Sequence, residues 1–175
     1  MAQNLMSHQK PTIIFMTKYG LQGASVRHRF QQYFKYFEKE SVFCHMLPLF
    51  KDHNLKKLLK TGNRPPFSIV QAFFQRLSYI FKANSKNTDL MVIYTELFPY
   101  FPPLMEWLVK LKGIRFVLDY DDAIFHQYDQ NKSKFVRWFL GKKIDRIMRS
   151  AEFVIAGNQY IADYALNAGA KRVEI

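Results

Sequence analysis

Short apolar, β-rich runs recur along the chain at residues 12–16, 41–46, 89–94, 115–119, 152–156 and 172–175, separated by longer segments in which apolar positions return with helical period. That alternation is the pattern of βαβ units. It predicts an α/β fold, a Rossmann-like parallel sheet with helices on both faces. The first helix is expected to start near Ser25, whose hydroxyl suits an N-cap, and to bury Phe30, Tyr33, Phe34 and Phe37. A second is expected over 67–82 with Val70, Phe73, Phe74, Leu77 and Phe81 along one stripe. A third follows Pro102 and Pro103 and stops near Gly113, a fourth covers 133–150, and a fifth begins after Asn158 and ends near Gly169.

In such a sheet the loops beyond the carboxyl ends of the strands carry the chemistry. Here they are residues 18–24, 48–66, 95–100, 120–132 and 157–158. The run at 172–175 reads as a strand up to Ile175, so the natural protein is expected to continue.

Composition narrows the class. With 175 residues, 49% hydrophobic and 23% charged, the chain fits one globular domain, and 17 Phe and 10 Tyr supply a core. Cys44 has no internal disulfide partner and sits in an apolar run, which reads as core packing. The first ten residues are polar, unlike a signal peptide, and Lys or Arg interrupts every later apolar run before it reaches membrane-spanning length. A reducing cytoplasm is the expected compartment. The net charge of +12 attracts nucleic acid, anionic lipid or phosphorylated substrates without choosing among them.

Candidate chemistry clusters at the loop sites. Tyr19-Gly20-Leu21-Gln22-Gly23-Ala24-Ser25 joins a strand to a helix with two glycines, which lets backbone amides approach a ligand, although a plain turn fits as well. It has neither the G-x-G-x-x-G spacing of dinucleotide sites nor the Lys-Ser/Thr of a P-loop. Arg27 and Arg29 follow, and a guanidinium grips phosphate or carboxylate through parallel hydrogen bonds; His28 between them reads as a surface residue. Asp119-Tyr120-Asp121-Asp122 places three carboxylates in four residues after an apolar strand, so raised pKa values are expected unless a cation, an arginine or a sugar hydroxyl partners them. Glu96, among the rings of Phe98, Tyr100 and Phe101, suits hydrogen bonding to sugar hydroxyls. Gly157-Asn158 reads as a turn and N-cap with a possible ligand contact.

Taken in order, Gly23-Ala24-Ser25-Val26-Arg27-His28-Arg29, Glu96-Leu97-Phe98-Pro99, residues 117–125 from Val117-Leu118-Asp119 onward, and residues 156–165 from Ala156-Gly157-Asn158 onward resemble the N-terminal domain of family 4 (group 1) glycosyltransferases, which have the two-domain GT-B fold. The resemblance implies that residues 1–175 form the acceptor-side domain and that a further domain, not within these residues, holds most nucleotide-sugar contacts. It implies transfer of a sugar from a nucleotide-sugar donor to a cell-envelope glycan or lipid-linked acceptor with retention, and no cofactor or catalytic metal. Asp121 and Asp122 would lie near the transferred sugar, where many relatives carry histidine. Gly20, Gly23 and Ser25 would face the donor phosphates. Arg27 and Arg29 would line the cleft, and Glu96, Asp119 and Asn158 are further candidates for substrate binding.

Two other readings remain. One is a metal-dependent, single-domain glycosyltransferase using the D-x-D pair Asp119 and Asp121, with His126 as a further ligand. The other is a basic, non-catalytic module, although no RNP-like, zinc-finger or helix-turn-helix signature favours a nucleic acid. Peripheral attachment to an anionic membrane is expected through 51–86, where Lys51, Lys56, Lys57, Lys60, Arg64, Arg76, Lys82 and Lys86 mix with Leu55, Leu58, Leu59, Phe67, Phe74 and Phe81.

Overall fold

Every apolar run becomes a strand in the computed structural model, which describes residues 10–52, 62–63 and 65–175. Strands β1 (Thr12–Tyr19), β2 (Phe43–Phe50), β3 (Leu90–Tyr94), β4 (Arg115–Tyr120), β5 (Val154–Ala156) and β6 (Val173–Glu174) form one sheet, all parallel, in the order β2-β1-β3-β4-β5-β6. Parallel strands buried on both faces read as continuous apolar runs, as LMVIY in β3 does. The chain steps to one side after β1 and to the other after β2, so a crevice opens between the carboxyl ends of β1 and β3.

The helices are α1 (Ala24–Arg29), α2 (Phe34–Lys39), α3 (Pro66–Lys82), α4 (Leu104–Leu111), α5 (His126–Asp129), α6 (Lys134–Leu140), α7 (Lys143–Ser150) and α8 (Gln159–Asn167), with a 3-10 turn at Gln31–Tyr33. Both faces of the sheet carry helices. Val26, Phe30 and Phe34 of the α1–α2 segment pack on Phe15, Val92 and Tyr94 of one face, with the Phe15 ring 5.4 Å from Phe30 and 5.0 Å from Phe34. The opposite face, through Met16, Ile93, Leu118 and Ala156, meets residues of α3, α4, α7 and α8, among them Ile80, Val109, Ile147 and Ile161. The first face is covered unequally. Beyond α1 and α2, the side chains of Val117, Phe153 and Ile155 line an open cavity of about 610 Å³ together with Phe15 and Val92.

Several local expectations shift. Gly23 is the N-cap of α1 and Ser25 lies inside the helix; Tyr33 stays 48% exposed. The single helix expected at 133–150 breaks into α6 and α7 around Gly141, where a Cβ would stand 2.2 Å from the Arg137 carbonyl oxygen. α3 buries Ala72, Arg76 and Ile80 and leaves Val70, Phe74 and Phe81 exposed. The Arg76 guanidinium fixes that rotation: it donates to the carbonyls of Thr17 (2.5 Å), Leu47 (2.8 Å) and Leu97 (3.1 Å), tying α3 to the ends of β1 and β2 and to the loop after β3. Burial lowers its pKa to about 9, with Glu106 nearby opposing the fall. Turning the apolar stripe inward would strand five donors or expose them at the cost of all three bonds.

Candidate functional site

The site assembles where β1, β3, β4 and β5 end. After Tyr19 the chain turns on Gly20, whose carbonyl accepts from the Gly23 amide at 3.0 Å. A Cβ at Gly20 would lie 2.6 Å from Asp52 Oδ1, the atom that accepts from the Gln22 amide at 3.1 Å, so a larger residue here would have to displace the Asp52 side chain and its bond to the loop. Arg27 is turned back on the loop and donates to the Leu21 carbonyl at 2.8 Å. Arg29 reaches across the sheet instead. Its Nε donates to Asp119 Oδ1 at 2.5 Å, joining helix α1 to the end of β4.

Asp119 is 3% exposed, and burial raises its pKa to about 6 from 3.8, with the hydrogen bond and charge of Arg29 pulling the other way. Two residues on, Asp121 receives the Tyr94 hydroxyl on Oδ2 at 2.5 Å. Tyr94 ends β3, and burial followed by this bond pushes its phenol well up, with Ser25 nearby pulling the other way. Tyr94 and Asp121 therefore form a polar link across the switch point, with Ser25 beside Tyr94. Asp121 Oδ1 is buried and has no hydrogen-bond partner; among the described residues it shares that condition with the hydroxyl of Tyr120 alone. Buried polar atoms are nearly always bonded, so this carboxylate oxygen is an acceptor at this corner that the chain's own donors do not use. Asp122 is exposed.

Two backbone features hold this corner. The Gly157 amide donates to the Tyr120 carbonyl at 2.7 Å, and a Cβ there would come within 3.0 Å of Asp121 Cα. Asn158 caps α8 by accepting from the Ile161 amide at 3.0 Å. At the end of β3, Thr95 has φ 69° and the Glu96 amide donates to the Tyr94 carbonyl at 3.1 Å, a tight turn in a region that a β-branched residue rarely enters.

Glu96 points away from the crevice. Its carboxylate accepts from the Tyr128 hydroxyl at 2.7 and 2.8 Å and pairs with the Lys143 ammonium, which is 1% exposed and also donates to the Phe98 carbonyl at 2.7 Å. The Lys143 ammonium lies 5.0 Å from the centre of the Tyr128 ring. His126 is likewise engaged, through Nδ1 with Asp129 (2.9 Å) and Nε2 with Tyr160 (2.7 Å). His28 and Arg29 both line the 610 Å³ cavity on the thinly covered face. Cys44 packs half-buried against the Phe15 cluster, and burial raises its thiol.

The structure thus brings Ser25, Arg29, Asp119 and Asp121 together, with Gly20, Gly23, Gly157 and Asn158 as framework, and takes Arg27 and Glu96 into internal bonds. Tyr94, Tyr128 and Lys143 were not singled out by the sequence, and Arg76 only as one of the basic residues of 51–86. Only Tyr94 carries a signal, a hydroxyl at the last position of a strand beside a loop site. Among the described residues no three His, Cys, Asp or Glu side chains gather into a metal-holding group, and no helix is long and apolar enough to cross a membrane. Of the segment 51–86, Lys51, Lys82 and Lys86 are exposed, as are Phe67, Phe74 and Phe81, whereas Arg76 is buried. Leu55, Lys56, Lys57, Leu58, Leu59, Lys60 and Arg64 lie outside the described residues.

No family model and no curated protein sequence matches the chain. Solved structures similar to it include the signal receiver domain of an HD domain-containing protein from Pseudomonas fluorescens Pf-5, at 10% identity and TM-score 0.37 over 92% of this chain and 94% of that one. Another is TcCGT1 in complex with UDP, at 12% identity and TM-score 0.43 over 91% of this chain and 47% of that one. The chain therefore spans about half the length of TcCGT1, and neither likeness carries anything on activity.

Proposed function

We propose that the chain is the acceptor-side domain of a retaining glycosyltransferase, moving a sugar from a nucleotide-sugar donor to a cell-envelope glycan or lipid-linked acceptor. The observation that carries the reading is the buried, unpartnered Oδ1 of Asp121 at the switch point. A sugar hydroxyl is a donor of the right strength and size to occupy it, while the Tyr94 hydroxyl holds Oδ2 and fixes the carboxylate plane in advance. Arg29 offsets the charge of Asp119, so the crevice tolerates a second carboxylate close by. Gly20 and Gly23 keep the first turn low enough for donor phosphates to pass, and most donor contacts fall to a second domain. The chain's own work is positioning and exclusion of water, and it supplies no strong general base.

The test uses the full-length protein with nucleotide-sugar and acceptor. Activity is expected to persist in EDTA, and Asp121→Asn is expected to lower transfer by roughly 30- to 1000-fold, the cost of a hydrogen-bonded carboxylate lost at the transition state, with little change in melting temperature. Asp122→Asn should lower it less, since that side chain is exposed. Activity abolished by EDTA and restored by Mn²⁺ or Mg²⁺ would transfer the assignment to the metal-dependent reading through Asp119 and Asp121. Near-normal turnover in Asp121→Asn would leave the cluster a structural one.

A further inference from the structure

Helix α6 is held to the protein by very little of its apolar surface. Leu140 is buried and Val136 partly so, Ser133 caps the helix by accepting from the Val136 amide at 3.4 Å, and Arg137 bonds back to the carbonyls of Asn131 and Lys132. The large rings face solvent: Trp138 is 80% exposed, Phe135 67% and Phe139 50%. They form one cluster, with ring centres 6.1 Å apart for Phe135 and Trp138, 5.9 Å for Phe135 and Phe139, and 6.3 Å for Trp138 and Phe139. Because the helix is already capped and anchored without them, folding of this chain does not account for the rings.

The charge around the cluster has one sign. Lys132 and Lys134 are exposed beside it, the side chain of Lys142 is 76% exposed, and no carboxylate occurs between Asp129 and Asp145. Those two acids are engaged, Asp129 with His126, and Asp145 with Lys142 and Tyr164. Tryptophan with flanking lysines is the composition that settles at the headgroup level of a bilayer, rings toward the acyl chains and ammonium groups toward anionic phosphates. A second copy or another protein fits less well. The three rings offer on the order of 400 Å², against the roughly 800 Å² per partner of a stable protein interface. The stripe on α3 has exposed phenylalanines too, but its central cation, Arg76, is turned into the protein.

We propose that α6 is an interfacial anchor that seats this protein on an anionic lipid bilayer. The inference stands apart from glycosyl transfer and its readout is binding alone, so either can fail without the other. The full chain is floated with vesicles of phosphatidylcholine alone and of phosphatidylcholine mixed with phosphatidylglycerol. It should bind the mixed vesicles, more weakly as salt rises, and in a Trp107→Phe background the emission of Trp138 should shift to the blue on binding. Trp138→Ser should weaken binding about tenfold, and the pair Lys132→Glu and Lys134→Glu by at least about fivefold for each lysine. These exposed side chains leave the circular dichroism spectrum unchanged, and Phe74→Ser on α3 should bind as the unaltered chain does. The proposal is overturned by absence of binding, by equal binding to both vesicles, or by unchanged binding of Trp138→Ser. A concentration-dependent dimer that Trp138→Ser dissolves, without vesicle binding, would assign the rings to a second copy instead.

Discussion

Asp119 keeps its carboxylate in a place that burial disfavours and Arg29 only partly compensates. Its pKa in the fold, about 6, lies above the ordinary 3.8, so the folded state favours the protonated form. The contribution of this group to stability is complete below pH 3.8 and is lost as pH rises through 6, a swing of about 3 kcal/mol. Compared with Asp119→Asn, which does not titrate, the unaltered protein should lose stability across that window, read from urea midpoints at several pH values. A constant gap between the two proteins would mean that Arg29 fully neutralises the burial. Lys143 poses the opposite case, a buried cation whose partner Glu96 stands 47 residues away. Lys143→Met should cost about 3 to 5 kcal/mol in urea unfolding by leaving a buried carboxylate with the Tyr128 hydroxyl as its chief support, and adding Glu96→Gln should recover most of it. The acids at 119–122 were legible because they follow an apolar strand. Lys143 was not, because it occupies the helical stripe of Leu140, Ile144 and Ile147, and nothing local names its partner.

Between elements, the turn after β5 decides how firmly Asp121 is held. Gly157 lies against the backbone of residues 120 and 121, where a Cβ would meet Asp121 Cα at 3.0 Å and the Tyr120 carbonyl oxygen at 3.1 Å. Neither contact is the end of a flexible side chain. Gly157→Ala should therefore cost about 1 to 3 kcal/mol and move the carboxylate, so that transfer falls further than the lowered melting temperature accounts for. Sugar-transfer rates on protein held well below its melting temperature separate the two effects. The strands and most helix limits were readable from periodicity, and Asn158 from its place before an apolar helical run. The facing of α3 was not, because Val70, Phe74 and Phe81 outweigh Ala72 and Ile80 in any hydrophobic pattern. What overrides them is a guanidinium that finds carbonyls on three separate stretches of chain.

For the whole molecule, alternation of runs and helices made the α/β class legible, yet the switch point depends on strand order, which no local pattern states. The same order bears on how the chain reaches its fold. β1 sits between β2 and β3, and every neighbouring pair in the sheet is parallel, so none is joined by a tight hairpin. The Thr12 amide, at the start of β1, donates to Asp89 across 77 residues at 2.8 Å. Closing loops of that length costs entropy before any pairing repays it, which slows folding relative to chains dominated by local contacts. Until β3 arrives, Ile13 to Met16 present an apolar edge on one side, and a nascent chain must keep that edge from other chains while the remainder is synthesised.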